Sequence, residues 1–427
     1  MNPRIPLGRA HALASSIIHE LRKAGVDTDV LMPVGSLRRF SPDVADVSLF
    51  AAVDTTGRDR LLRAFTKLPA VTQVAGLGES GATIVTARGP VTLHVADPAG
   101  AGASLVWLTG AVGHVHAVAG LAAQRGLQFA GGRLVDAAGN DVRCETEEDF
   151  YALLDLPFIP PELRHGEDEI DAARDGRLPH LVADVHIRGD LHMHSIWSDG
   201  RDTIETMVRA SAQLGYEYLA ITDHSQRAWS SHKLAVEDVE DQRAEVDLLR
   251  RRYPNIHILH GVEVDIMTDG TLDFEDAILA RFDIVLASLH DHGGQGVLEL
   301  TERYLAAIRS PLVDVITHPL NRAPGVWDGY TLDLDRMFAA AAETGTAMEI
   351  DGAPGHLDMD GAVARRAVAA GVTVVVDSDC HRSEMLRRQM RFGLGTARRG
   401  WVEPRHVLNT RSVEDVLAFV ARKRARG

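Results

Sequence analysis

The sequence predicts an α/β protein with a C-terminal seven-unit β/α barrel and a smaller α+β region before it. From residue 189 onward, seven short β-rich runs alternate with helix-period segments. Polar clusters follow most of these runs, and 13 of the 20 histidines lie from position 186 onward. Consecutive strand–helix units form a parallel sheet, and seven in a row favour a closed barrel over an open doubly wound sheet.

The N-terminal part has no such alternation. A helix-period segment covers residues 9–25, short β-rich runs lie within 82–97, and another helical stretch follows. The stretch "GLGESG" (76–81) fits a dinucleotide-binding fingerprint, but β-rich sequence follows it instead of a βαβ unit, so we interpret it as a turn. Residues 155–179 carry prolines and charges and are typical of an extended connection. The predicted domains are 1–150, a connector 151–185, and the barrel 186–427.

The barrel strands are predicted from runs of apolar and β-branched residues that end in polar clusters. Their bounds are 189–194, 218–224, 257–266, 284–290, 313–319, 347–352 and 372–379. Predicted helices between them include 204–215, 236–253 and 334–345, of which the first and third close on a Gly. A C-terminal helix starting near Ser412 completes the chain.

Composition excludes several classes of protein. The formal net charge of −15 argues against a dedicated duplex-DNA binder, because such proteins present a basic surface. The sequence has no apolar run long enough for a membrane span and no signal-peptide pattern at its start. Cys144 and Cys380 are far apart and have no metal-type spacing. We therefore expect a cytoplasmic protein without disulfides and without a membrane partner.

Nine titratable side chains lie on, end or follow six of the seven predicted strands. In "DLHMHSIWSDG" (190–200) two histidines stand one residue apart, so on a strand they point the same way. Because catalytic groups of β/α barrels lie at the carboxyl ends of the strands, we expect the nine to converge on one mouth. They are His192, His194, Asp199, His224, Glu263, His290, His318, Asp379 and His381.

This set predicts a cluster of divalent metal ions. Burying so many titratable groups without counterions would be very costly. Histidine and carboxylate ligands without thiolates suit Mn or Zn, with Fe as a further candidate. Nine ligands are too many for one ion, so two or three ions are predicted, with Glu263 as the bridging carboxylate. Such clusters hydrolyse phosphate esters, with a metal-bound hydroxide as the nucleophile.

Other polar residues near the mouth are weaker candidates. Cys380 lies between two predicted ligands and should point away from them, so we interpret it as packing. His292 is in period with His290 but lies further into the loop, and we do not count it as a ligand. Asp265 and Glu349 face the mouth by strand parity and are interpreted as hydrogen-bond acceptors for ligands.

The motifs also resemble a known family. "GDLHMHSIWSDG", "ITDHS", "GVEVDI", "SLH", "THP" and "DSDCH" resemble the PHP (polymerase and histidinol phosphatase) metal-dependent phosphoesterases. Upstream, "PVGSLRR", "WLTGAVGHVHAVAGLAAQRG" and "LPFIPPELRHG" resemble the palm, thumb and connector of bacterial family X DNA polymerases, which carry a C-terminal PHP domain. The resemblance implies a distorted (β/α)7 barrel with a trinuclear metal site and, in the polymerases, a Mn-dependent 3′–5′ exonuclease.

The resemblance also implies how the ligands are shared among three ions. The implied groups are His192, His194, Glu263 and Asp379; Glu263, His290 and His318; and Asp199, His224 and His381. The first group is the one to which we assign catalysis.

The palm-like region departs from the family pattern. The family's palm uses three carboxylates to hold two Mg ions, and here Asp46 is present, but Ser48 and Thr92 stand at the other two positions. We therefore predict that polymerase activity is lost. The chain begins at the palm, so the lyase-like and fingers regions are expected to be missing. Ser36 and Arg39 of the GS motif are interpreted as relict structure rather than a phosphate site.

Three functions remain open at this point. The first is 3′–5′ exonuclease or 3′-end processing of DNA, whose partner would be DNA 3′ ends. The second is a small-molecule phosphatase of histidinol-phosphatase type, acting on a small phosphomonoester. The third is a non-catalytic DNA-repair scaffold, which the complete ligand set argues against. We favour the first because of the fused polymerase-like region.

Overall fold

Two units make up the chain, Met1–Leu178 and Pro179–Gly427. The structure is a computed structural model that describes residues 4–25, 28, 30–228, 230 and 232–426. None of its helices is both long enough and apolar enough to span a membrane.

The first unit is α+β, as the sequence predicts. Its strands are β1 (Ile5–Pro6), β2 (Val30–Pro33), β3 (Asp43–Val44), β4 (Val47–Ala52), β5 (Val71–Gly78), β6 (Gly81–Thr86), β7 (Gly89–Ala96), β8 (Gln128–Ala130) and β9 (Arg133–Val135). Its helices are α1 (Leu7–Lys23), α2 (Gly35–Arg38), α3 (Thr55–Thr66), α4 (Ala101–Thr109), α5 (Val112–Gln124), α6 (Glu147–Ala152) and α7 (Glu169–Arg174).

A five-stranded sheet with the order β2-β4-β7-β6-β5 forms the centre of this unit. β4 and β7 run parallel, and the other neighbours are antiparallel. Helix α1 buries Leu13, Ile17 and Leu21 at helical spacing, which gives it one apolar face for packing. The stretch "GLGESG" is the tight hairpin between β5 and β6, so its interpretation as a turn is confirmed.

The segment 155–179 is not an extended connection throughout. It contains α7 and a 3-10 turn at Pro161–Leu163. Arg164 is fully buried there, forms an ion pair with Glu147, and donates from Nε to the Ile159 carbonyl at 2.8 Å. Because a buried guanidinium needs such partners, these contacts fold the segment onto the rest of the first unit. Prolines and charges in the sequence do not reveal them.

The second unit is the predicted α/β barrel. Its strands are β10 (Gly189–Asp190), β11 (Tyr218–Ile221), β12 (His257–Asp265), β13 (Ile284–Ser288), β14 (Val315–Ile316), β15 (Ala347–Asp351) and β16 (Val374–Asp377). Its helices are α8 (Ile204–Gln213), α9 (Val239–Arg252), α10 (Asp276–Leu279), α11 (Val297–Arg309), α12 (Leu334–Thr344), α13 (Gly361–Ala369), α14 (Leu386–Arg399) and α15 (Val413–Arg424).

The seven strands are all parallel and adjacent in chain order, from β10 to β16. The helix ends follow the sequence signals: Gly345 closes α12 with a φ of 75°, and the Ser412 hydroxyl caps α15 by accepting from the Asp415 amide at 3.2 Å. The seven-unit α/β fold class is therefore confirmed.

The first and last strands meet at a seam that side chains close. Beyond their ends, Met193 and Cys380 form a parallel bridge. Between them, the buried Asn409 amide donates to the Gly189 carbonyl at 2.9 Å and to the Val376 carbonyl at 2.6 Å. The Asn409 oxygen also accepts from the Val376 amide at 3.1 Å. The Leu191 amide also donates to Asp377 Oδ1 at 2.8 Å, and the Ser378 amide to Asp190 Oδ1 at 3.3 Å. The barrel is thus nearly closed, with side chains standing in for missing ladder bonds.

Helix α15 fills the amino end of the barrel. Its Val416 and Phe419 join inward-facing strand residues such as Leu286 in one apolar cluster. Lys423 donates to the carbonyl of Ile308, in the last turn of α11, at 2.9 Å. Apolar packing therefore occupies the amino end, and polar groups can collect at the carboxyl end.

Candidate metal centre

The nine predicted ligands lie together at the carboxyl end of the barrel. His192 and His194 follow β10, His224 follows β11, and Glu263 lies within β12. The remaining five lie in the loops after β10, β13, β14 and β16. They are Asp199, His290, His318, Asp379 and His381.

Eight of the nine residues thus lie in loops that follow strands, because several strands end earlier than predicted. After β10, the His192 amide donates to Asp190 Oδ1 at 3.2 Å and the Met193 amide to Thr222 Oγ1 at 3.0 Å. After β14, the His318 amide donates to Glu349 Oε2 at 2.7 Å. Side chains thus replace ladder partners at the mouth, which lets the backbone leave the sheet and aim the imidazoles inward.

Glu263 is the centre of the cluster and is fully buried. Its Oε2 lies 2.8 Å from His224 Nδ1, 3.3 Å from His192 Nε2 and 3.4 Å from His194 Nε2. Its Oε1 lies 2.9 Å from His318 Nε2 and 3.5 Å from His290 Nε2. The two oxygens of one carboxylate therefore face two different sets of imidazoles, which is the arrangement a bridging ligand needs.

Two further carboxylates serve the other side of the cluster. Asp379 Oδ1 lies 3.1 Å from His194 Nε2 and 3.5 Å from His381 Nδ1. Asp199 Oδ1 lies 3.1 Å from His381 Nε2 and 3.6 Å from His224 Nε2. These contacts connect the second half of the cluster to the first through His194 and His224.

The donor set fits divalent metal ions. Three groups have ligand atoms that all lie within 4.8 Å of one another. They are His194, Asp199, His224 and His381; His192, His194 and Glu263; and His224, Glu263 and His290. Imidazole nitrogens and carboxylate oxygens without thiolates suit Mn, Zn or Fe. His194 and His224 each belong to two groups, so the structure does not separate the ligands into the three sets that the resemblance implies.

The charges of the cluster are strongly coupled. Burial raises the pKa of Glu263, but His224 and His192 outweigh it and hold that pKa well below its usual range. Burial lowers the pKa of His192, but Glu349 and Glu263 raise it well above its usual value. For His194, burial and the neighbouring His381 lower the pKa to about 3. At pH 7 Glu263 is therefore anionic and His194 neutral, which are the forms that bind a cation, whereas His192 is protonated and would have to release its proton to a binding metal ion.

A second layer of carboxylates orients the imidazoles. Glu349 Oε1 lies 2.6 Å from His192 Nδ1, and Asp265 Oδ1 lies 3.0 Å from His290 Nδ1. This matches the interpretation of both acids as hydrogen-bond acceptors. Asp223, which sequence reasoning did not assign, accepts from the Ser195 amide at 2.7 Å and the Ser198 hydroxyl at 2.6 Å, and so fixes the loop that carries Asp199.

Cys380 and His292, which we did not predict as ligands, lie outside the cluster. Cys380 is buried in the apolar core of the barrel, and burial raises the pKa of its thiol to about 12. The His292 side chain is exposed, and its Nδ1 accepts from the Gly294 amide at 2.9 Å.

Sequence reasoning missed one imidazole at the mouth. His356 lies in the loop after β15, the strand that supplies no predicted ligand. Its ring stacks on His318, with 5.0 Å between centroids and an interplanar angle of 19°. The residue stands five positions beyond the strand end, so a search of strand ends does not find it.

The palm-like positions in the first unit lack this chemistry. Ser48 and Thr92 are register partners on β4 and β7, and the Thr92 hydroxyl lies 3.0 Å from that of Thr83. Asp46 is the neighbouring acid, 3.4 Å from the Ser48 hydroxyl. Within the residues that the structure describes, all three metal-capable groups lie in the barrel unit.

The GS-motif arginines are engaged inside the first unit. Arg38 forms a two-point ion pair with the Glu147 carboxylate, at 2.9 and 2.5 Å. Arg39 donates to the Thr109 carbonyl at 2.5 Å. Both guanidinium groups therefore stabilise the packing of α2 against its neighbours.

Comparison with known protein families gives one match in each of the two units. Residues 190–351 match the PHP domain, and residues 104–165 match the DNA polymerase beta thumb. The chain is 35% identical over 427 residues to "DNA polymerase/3′-5′ exonuclease PolX" of Bacillus subtilis (strain 168), covering 98% of this chain and 73% of the relative.

Shorter relatives match about half of the chain. A probable phosphatase of Thermoanaerobacter sp. (strain X514) is 31% identical over 203 residues, which is 45% of this chain and 78% of the relative. A probable phosphatase of Shewanella oneidensis is 32% identical over 204 residues, 45% of this chain and 75% of the relative.

These matches, together with the His/carboxylate cluster, identify the protein as a metal-dependent phosphoesterase, which is a hydrolase. Because its similarity to the Bacillus protein extends over both units, the chain belongs to the bacterial PolX family.

Proposed function

We propose that this protein is a 3′–5′ exonuclease, or a related 3′-end processing enzyme, that acts on DNA through a three-ion site built by the nine clustered ligands. The observation that carries the proposal is the Glu263 carboxylate, whose two oxygens face two sets of imidazoles. The similarity to a PolX relative named for 3′–5′ exonuclease activity supports DNA as the substrate. We propose Mn or Zn as the metal, given the ligand types.

The chain's own groups hold and orient this site. Bound divalent ions would supply a water of lowered pKa and Lewis-acid contacts to the phosphoryl oxygens. Glu263, with His192, His194 and Asp379, provides the catalytic group of ligands in this proposal. Glu349 and Asp265 fix the ring orientation of His192 and His290, so that the opposite nitrogen of each ring points into the cluster.

In this proposal, the first unit has lost DNA polymerase activity. We assign palm and thumb to residues 1–150 and the connector to 151–185. Ser48 and Thr92 occupy the positions where the resemblance implies carboxylates, and they pair with each other across β4 and β7. Asp46 alone has too little negative charge to hold two Mg ions around a triphosphate.

A small-molecule phosphatase is the second candidate. It is favoured by the probable phosphatases, which match this chain over a segment of about 200 residues. Both candidates use the same metal cluster, so only the substrate separates them. Binding to DNA would weaken steeply with added salt, whereas a phosphomonoester with fewer charges would show a smaller effect.

The test is a cleavage gel. Mn-loaded protein is incubated with a 5′-labelled duplex that has a recessed 3′ end, beside the Asp379→Asn variant. We expect a ladder of shortened products from the wild type and none from the variant. The same duplex with added dNTPs and Mg should not be extended. Intact DNA together with phosphate release from small phosphomonoesters would overturn the nuclease proposal, and primer extension would overturn the loss of polymerase activity.

A further inference from the structure

We propose that Trp327 is a stacking surface for the nucleobase of the terminal nucleotide, placed on the rim of the metal centre. The inference rests on the proposed function, because it concerns how a DNA 3′ end is held at that site. It assigns the base-binding role to one loop, residues 319–333, which leaves the barrel directly after His318.

Backbone and side-chain bonds fix this loop at the mouth. Ala323 and Trp327 exchange two backbone hydrogen bonds, at 2.8 and 2.9 Å, which makes a tight turn around residues 324–326. The Tyr330 amide donates to the Leu320 carbonyl at 2.7 Å. Gly329 has a φ of 97°, and a Cβ there would lie 2.5 Å from the Leu320 oxygen, so this close approach requires glycine.

Tyr330 ties the loop to the metal centre itself. Its hydroxyl lies 3.3 Å from the Leu289 carbonyl and 3.4 Å from the carbonyl of His290, a member of the cluster. Asn321 donates to the same hydroxyl at 3.1 Å. The position of the loop is therefore set relative to the site and does not need a ligand to form.

Aromatic rings continue outward from this anchor. Tyr330 is buried and packs edge-on against His292, with centroids 6.3 Å apart. Trp327 packs edge-on against Tyr330 at 5.1 Å and 78°. Despite this contact, 44% of Trp327 remains exposed, next to Val326 at 86%. A rigidly supported indole that remains partly exposed is available for stacking at low entropic cost.

The chemistry of the site gives this face a role. The clustered ligands can hold phosphoryl oxygens through bound ions, but they offer nothing for a base. A net charge of −15 gives the protein no overall electrostatic attraction for DNA, so a contact that does not depend on charge would add to the binding of a 3′ end. Stacking on an aromatic side chain works with every base and does not require positive charge. Trp327 would thus hold the last base while the adjacent phosphodiester enters the cluster.

The experiment measures binding to two matched duplexes. Both have a labelled recessed 3′ strand, and they differ only in the last nucleotide, which carries a base in one and is abasic in the other. Dissociation constants are measured by fluorescence anisotropy in the Asp379→Asn background, so that no cleavage occurs. The variants are Trp327→Ala, Trp327→Phe and, as the neighbouring control, Val326→Ala.

We expect Trp327→Ala to raise the dissociation constant for the base-bearing end roughly 5- to 150-fold, the equivalent of a stacking contribution of about 1–3 kcal/mol per base. Binding of the abasic end should change little, Trp327→Phe should restore most of the affinity, and Val326→Ala should match the parent protein. Equal weakening for both ends, or no weakening, would overturn the proposal. Because binding is read without turnover, absent cleavage by the wild type would reject the nuclease and not this contact.

Discussion

At the scale of single residues, Glu349 shows how a side chain outside the nine predicted ligands can determine whether a metal site forms. Its two oxygens reach His192 Nδ1 at 2.6 Å and the His318 amide at 2.7 Å, and it also accepts from the Thr317 hydroxyl. One buried carboxylate thus orients two predicted ligands from different strands. The sixth strand, which supplies no predicted ligand itself, contributes to the metal centre in this way.

Replacing this acid should weaken metal binding. Glu349→Gln keeps the size of the side chain but loses the negative charge that faces His192. We expect metal affinity to fall by about 10- to 100-fold, the usual effect of losing such a partner. The measurement is Mn or Zn content after dialysis against a graded series of free metal concentrations. Glu343→Gln, an exposed acid on α12, is the matched control, and equal metal content in both variants would contradict the role of Glu349.

The sequence identifies side chains that share a periodic position, and it misses those placed by loops. Eight of the nine clustered residues lie within four residues of a strand end, where parallel strands of a barrel bring their polar residues together. Asp199 lies nine residues after β10 and could be predicted because it shares one short motif with His192 and His194. His356 and Trp327 lie within loops, five and eleven residues after their strands. Their positions depend on turns and long-range hydrogen bonds, such as that of Tyr330 to His290, which have no sequence period.

At the scale of elements, β12 is buried on both faces, and one of its histidines, His260, lies outside the metal centre. His260 Nε2 lies 2.8 Å from the Gln242 side-chain oxygen on α9, and its ring packs against Phe282 at 4.7 Å. Burial lowers the pKa of His260 to about 3, and the nearby Arg243 adds to this effect. The strand and its helix are therefore joined through an imidazole that must stay neutral.

This contact predicts a loss of stability in acid. In the unfolded chain His260 binds a proton with an ordinary pKa near 6.5, whereas in the folded protein its pKa is about 3. The contribution of neutral His260 to stability is therefore fully present above pH 6.5 and is lost as the pH falls toward 3. Between pH 7 and pH 5, His260 should account for about 2 kcal/mol of the lost unfolding free energy.

The measurement is the free energy of unfolding in urea for metal-free protein at both pH values. His260→Gln can still form a hydrogen bond with Gln242 but does not titrate. The free energy of unfolding of this variant should therefore fall between pH 7 and pH 5 by about 2 kcal/mol less than that of the wild type. His257→Gln, on an exposed position of the same strand, should behave as the wild type. An unchanged pH dependence in the His260 variant would contradict the prediction.

At the scale of the whole molecule, the order of the barrel follows from local units, but its closure does not. Each strand–helix unit places the next strand beside the last, so seven alternations predict seven parallel neighbours. The seam between β10 and β16 is bonded by Asn409, which stands 32 residues after Asp377 in sequence. No pattern around Asn409 marks it as a partner of Gly189 and Val376, so the number of units favours a closed barrel but the sequence does not show how the seam is bonded.

Asn409 is consequently where the barrel should be easiest to open. Asn409→Ala leaves the Gly189 and Val376 carbonyls and the Val376 amide buried without their present partner. An unpaired buried polar group costs about 1–3 kcal/mol, so we expect a loss of several kcal/mol in stability. Hydrogen exchange should locate it, because the Val376 amide should exchange faster while amides of β12 and β13, far along the sheet, change least. The control is Glu414→Gln, an exposed change on α15, which should leave hydrogen exchange across the seam as it is in the wild type. A Val376 amide that stays protected in Asn409→Ala would show that β10 and β16 pair without the Asn409 side chain.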